Sequence, residues 1–122
     1  MAEQRKKSVH IADRDEAVRE SLRAFLETCG YSVQTYASSE DYLRRADTES
    51  ADCLLLDLRV SGRGGIELLE QLRTRGVSTP AIILSTNGSR MNARMQRAGV
   101  LKVLVKPVTG EDLLHWIEKA CG

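Results

Sequence analysis

Two kinds of apolar pattern alternate along the chain. Short runs rich in Val, Ile and Leu occur at 8–12 (SVHIA), 31–36 (YSVQTY), 52–57 (DCLLLD), 80–85 (PAIILS) and 101–105 (LKVLV). Several of them lack polar alternation, as strands buried on both faces of a parallel sheet do. Between them the apolar spacing turns helical. In 15–30, Val18, Leu22, Leu26 and Cys29 fall on one face, acids open the first turn and Gly30 follows as a stop. The segment from Ser38 has Asp41 three residues on, a capping-box spacing, and Thr109 with Asp112 repeats it before a helix that buries Leu113, Leu114, Trp116 and Ile117. Helices over 65–76 and, more weakly, 90–99 end on Gly76 and Gly99. The order β-α-β-α-β-α-β-α-β-α predicts one α/β domain, a doubly wound parallel sheet with helices on both faces, because right-handed crossovers put them there.

Composition adds limits more than identity. The 122 residues suffice for one core without a metal or disulfide framework. A 42% hydrophobic, 29% charged chain of net charge +1 is ordinary for a globular domain and names no nucleic-acid or membrane partner. The polar start MAEQRKKS lacks a signal-peptide core, so a cytoplasmic location is expected, with residues 1–7 a frayed arm and 8–122 the domain. Cys29, Cys53 and Cys121 form no C-x-x-C pair, and Cys29 and Cys53 are expected to pack. His10 and His115 are read as structural.

In doubly wound sheets the functional site lies outside the carboxyl ends of the strands. The groups at those ends are Asp13, Arg14 and Asp15 after the first strand, Asp57 after the third, Ser85 after the fourth, and Lys106 with Pro107 after the fifth. An aspartate beside other acids can attack a phosphoryl group once a cation offsets the charge. Lysine, a hydroxyl and Mg²⁺ would supply the positioning and neutralisation such a transfer needs.

These stretches, VHIADRDEAVRESL, LLLDLRVSGRGGIELL, PAIILS and VLVKPV, resemble the receiver domains of two-component response regulators over nearly the whole chain. The wording is most similar to receivers that precede LuxR-type helix-turn-helix outputs, although no such output segment is expected within these residues. The resemblance implies a five-stranded sheet of order 2-1-3-4-5. It makes Asp57 the phosphoacceptor, Asp13 a metal-site acid acting through water, the Arg59 backbone carbonyl a ligand of Mg²⁺, Ser85 the switch hydroxyl and Lys106 the contact to the phosphoryl oxygens, with a cis Lys106–Pro107 bond. The implied partners are a sensor histidine kinase or phosphotransfer protein and a second copy bound through the fourth helix, fifth strand and fifth helix. Direct nucleic-acid or membrane contact is not expected.

Departures from the family pattern are informative. Arg14 stands where a second carboxylate would ligate metal, and a guanidinium only donates hydrogen bonds, so the Mg²⁺ site is expected to be weak or absent. Folded inward, Arg14 could pair with Asp57; swung outward, it would leave a depleted site. A bulge bringing Asp15 into the vacated position is the remaining alternative. Val103 replaces a switch aromatic, SGRGG lacks the usual proline, and NGSRMN replaces a small-residue turn. Arg90, Arg94 and Arg97 form a basic stripe, either a solvated face or a docking surface.

The leading expectation is a stoichiometric phosphoacceptor switch, not a turnover enzyme. The alternative is a phosphorylation-independent interaction module in which Arg14 replaces the metal charge. A flavodoxin-like binder needs a phosphate loop where DRDE would repel phosphate, and a dehalogenase-type phosphatase needs a second Asp where Arg59 stands.

Overall fold

In the computed structural model of the protein, residues 6–59 and 64–122 are described. Strands β1 (Ser8–Ala12), β2 (Ser32–Tyr36), β3 (Cys53–Asp57), β4 (Ala81–Ser85) and β5 (Val100–Val105) form one parallel sheet. Its order is β2-β1-β3-β4-β5, as the family resemblance implies. The helices are α1 (Glu16–Thr28), α2 (Ser39–Arg45), α3 (Gly65–Thr74), α4 (Ala93–Arg97) and α5 (Gly110–Cys121), with a short 3₁₀ turn at Thr48–Ser50.

The unalternated strands are explained by two cores. Val9, Ile11, Cys53, Leu55, Ile82 and Leu84 point to one face, where Leu26 of α1 and Leu113 and Ile117 of α5 cover them. Ala12, Leu54, Leu56, Ala81 and Ile83 point to the other, beneath Tyr42 of α2, Leu68, Leu69 and Leu72 of α3, and Met95 of α4. Every residue of β1, β3 and β4 is buried, and the exposed positions of the sheet fall on the edge strands β2 and β5. On β5, Ala81 pairs with Val100 and Ile82 with Lys102, which makes Leu101 an extra, exposed residue in a local bulge.

The helix boundaries follow the capping signals. The Ser38 and Thr109 hydroxyls accept the amides of Asp41 and Asp112 at 3.0 and 3.1 Å. Three other expectations need correction. Cys29 is exposed, because α1 ends at Thr28 and the cysteine lies on its outward final turn; Cys53 packs as expected. Leu114 and Trp116 are only half-buried, since Leu113 and Ile117 take the inward face of α5. The fourth helix spans only Ala93–Arg97, capped by Asn92, so Arg90 precedes it and the three arginines share no helix face.

His10 is structural, as expected. It is 1% exposed; its Nδ1 is 2.9 Å from the Tyr42 hydroxyl and its Nε2 3.4 Å from Ser50 Oγ. Burial holds its pKa below the ordinary value, outweighing the pull of Asp47 and Asp52.

Candidate functional site

The carboxyl edge of the sheet gathers the side chains named from the strand ends. Asp13 follows β1, its amide donating to Tyr36 O at 3.1 Å and its carbonyl accepting Arg19 Nη1 at 2.7 Å. That arginine brace, from the first turns of α1, has no signature in the sequence pattern. Asp57 ends β3, and the next amides are tied in: Leu58 N donates to Leu84 O at 2.8 Å and Arg59 N to Asp57 Oδ1 at 3.3 Å. Gly65 lets α3 begin against this strand end, since a Cβ there would lie 2.5 Å from the Asp57 carbonyl oxygen.

Lys106 enters across a cis Lys106–Pro107 bond, with its amide donating to Ser85 O at 2.7 Å. Its ammonium lies 2.7 Å from Asp13 Oδ2 and 3.7 Å from Asp57 Oδ2. Asp13 is fully buried, Asp57 5% exposed and the Lys106 side chain 15% exposed, so this cation joins two carboxylates largely shielded from water. Burial pushes the Asp57 carboxyl above the ordinary carboxylate range, and the charge of Asp13 pushes the same way. The Arg59 amide, Lys106 and, most weakly, Arg14 oppose the rise. The enclosed groups carry two negative charges and one positive, a surplus that adds to the larger effect of burial on Asp57.

Arg14 takes the outward alternative. It is exposed and, among the described residues, makes no ion pair with Asp57. Asp15 does not replace the missing acid. Its carboxylate caps α1, accepting the Ala17 and Val18 amides at 2.9 and 3.3 Å, while its own amide donates to Asp13 Oδ1 at 2.9 Å. No cluster of three His, Cys, Asp or Glu side chains placed to hold a metal exists among the described residues. The donor set is thus two carboxylates, one with both oxygens already engaged, and a surplus negative charge. It fits a hard cation held weakly, with Asp57 Oδ2, 3.7 Å from Lys106, the least engaged oxygen of the pair.

Ser85 is completely buried at the end of β4, and its hydroxyl donates to Asn87 Oδ1 at 2.8 Å. Sequence reasoning named the serine but not its partner, although Ser and Asn two residues apart before a glycine is a local turn pattern. Val103 is half-buried against the α2–α4 core. The basic stripe dissolves: all three arginines are exposed, but Arg94 forms a forked pair with Glu70 of α3 at 2.7 and 2.8 Å. The SGRGG loop lies mostly outside the described residues.

Residues 9–118 match the family model described as the response regulator receiver domain. The chain is 32% identical over 114 residues to the transcriptional regulatory protein FixJ of Rhizobium meliloti and, over the same length, to TdiR of Thauera aromatica. These alignments cover 93% of this chain and 56% and 50% of the relatives. The chain therefore spans about half the length of the curated relatives it matches. Among solved structures, response regulator StyR superposes with a TM-score of 0.89 at 35% identity, covering 96% of this chain and 60% of that one. FixJ-N superposes at 0.85 with 31% identity, covering 97% and 95%.

Proposed function

Because the chain belongs to the response regulator receiver family of two-component signalling, we propose that Asp57 accepts a phosphoryl group from a phosphohistidine. Receiver domains work with histidine kinases and phosphotransfer proteins in general. The observation that carries the assignment is the placement of Asp57 Oδ2 in a shielded edge site, 3.7 Å from Lys106, with Oδ1 held by the Arg59 amide.

In the transfer, Asp57 Oδ2 attacks phosphorus as the N–P bond breaks, and the electron pair returns to the leaving imidazole nitrogen. Lys106 neutralises charge on the phosphoryl oxygens, moving from Asp13 toward Asp57. The Ser85 hydroxyl supplies a hydrogen bond to one of those oxygens. Asp57, Asp13 through water and the Arg59 carbonyl would hold Mg²⁺, which when bound supplies charge neutralisation. The product is an acyl phosphate on this chain, so the chain acts stoichiometrically. Output contacts are assigned to α4, β5 and α5, where Leu101 and Val105 are exposed. A phosphorylation-independent role with Arg14 in place of metal is not favoured, since Arg14 leaves Asp57 to Lys106.

The test is intact-mass measurement after incubation with a small phosphodonor and Mg²⁺. One added phosphoryl group, lost in Asp57→Ala, is expected; no gain, or a gain that survives Asp57→Ala, would refute the assignment. Arg14→Asp should raise the yield and tighten Mg²⁺ binding, read by calorimetry, by about 10 to 100-fold.

A further inference from the structure

The Ser85 hydroxyl already has a full set of partners. A hydroxyl has one proton and two acceptor positions. Both acceptor positions are taken by groups that can only donate, the backbone amides of Asn87 at 3.4 Å and Ser89 at 3.2 Å. The proton must therefore go to the remaining neighbour, Asn87 Oδ1, at 2.8 Å. The orientation of the Asn87 carboxamide is fixed by the same logic: the Ser89 amide, an obligate donor, lies 3.2 Å from that atom, which must be the oxygen. Ser89 Oγ adds a third hydrogen bond to it at 2.6 Å.

A phosphoryl group offers acceptors only, so its oxygens and Asn87 Oδ1 need the same proton. We propose that Asn87 is a latch on the switch, a positioning residue that competes with the Asp57 phosphoryl group for the Ser85 hydroxyl and thereby sets how tightly that group is held. This rests on the reading of Asp57 as phosphoacceptor and Ser85 as its hydroxyl partner.

The latch is built to open at small cost. When Ser85 turns away, Asn87 Oδ1 keeps both donors from Ser89, so no acceptor is stranded. Ser89 also touches Ser85 Oγ, so redirecting the hydroxyl disturbs the loop that leads into α4. Occupancy at Asp57 is transmitted to that loop through the exchange of one hydrogen bond, without an aromatic at Val103.

The experiment titrates the 122-residue chain with beryllofluoride, a mimic of the phosphoryl group, in magnesium-containing buffer, with bound fluoride counted by fluorine NMR. Asn87→Ala should bind about three- to ten-fold tighter than wild type, the worth of one net hydrogen bond. Asn87→Asp, which keeps the acceptor oxygen, should bind no tighter than wild type. In a Ser85→Ala background there is no proton to contest, so adding Asn87→Ala should leave affinity unchanged. Equal affinities of wild type and Asn87→Ala would overturn the latch while leaving the phosphoacceptor reading intact; so would a gain that persists without Ser85. Failure of wild type and Arg14→Asp alike to bind beryllofluoride would overturn both.

Discussion

Replacing Lys106 with methionine keeps most of the side-chain volume and removes the cation between two shielded carboxylates. At an effective dielectric constant of about 20, unit charges 2.7 Å apart attract by about 6 kcal/mol and those 3.7 Å apart by about 4–5 kcal/mol. Desolvation of the ammonium offsets much of this, and breaking a buried pair by removing one partner costs about 3–5 kcal/mol net. Because Asp57 already holds its proton more readily than an ordinary carboxyl, it can neutralise, which puts the cost near the lower end, about 3 kcal/mol. With a urea m-value of about 1.5 kcal/mol/M, the unfolding midpoint should fall by about 2 M at pH 7. The deficit must depend on pH with a defined sign. Losing Lys106 removes one of the influences that hold the Asp57 pKa down, so the protonated form gains, and stability is lost as pH rises through the folded-state pKa. Urea titrations at pH 7 and near pH 5 should show the larger deficit at pH 7, and Asp57→Asn in the Lys106→Met background should recover part of it. A midpoint shift below about 0.5 M, or a deficit that grows toward acid, would refute the reasoning.

Asp57→Asn alone should raise stability at pH 7, since the folded state disfavours the charged carboxylate; the gain should shrink as pH falls into the range where Asp57 is protonated, in melts run at both pH values. Tyr42→Phe leaves the buried His10 Nδ1 without its hydrogen bond and should cost about 1–3 kcal/mol in urea unfolding at pH 7.5. His10 titrates with the opposite sign to Asp57. Its depressed pKa makes the neutral ring part of the fold, so the stability it contributes is present above its ordinary value of 6.5 and lost as pH falls toward the folded-state pKa. His10→Gln should flatten that acid-side loss.

The alternation of unbroken apolar runs with amphipathic segments determined the layered fold by itself. Strands as uniformly apolar as CLLLD can be satisfied only by cover on both faces, and the helices between them supply it. Strand ends are equally legible, because the chain must turn from apolar to polar where it leaves the sheet, and Asp13, Asp57, Ser85 and Lys106 all sit at that change. What those groups do to one another was not legible. Whether Arg14 turns in or out depends on the competition between solvent and the site, and Lys106, arriving from a strand far away in sequence, already occupies the space between the acids. The sequence offered Asp15 as a replacement ligand; the start of α1 instead places two amides over its carboxylate. The arginine stripe failed for a related reason: a spacing of three and four residues means a shared face only if a helix runs through it, and Asn92 caps α4 after Arg90 while Glu70 of a neighbouring helix claims Arg94. Local pattern thus specifies elements and their ends, because those depend on neighbours along the chain. The direction of a polar side chain such as Arg14 or Lys106 depends on neighbours across space and was decided only by the tertiary structure.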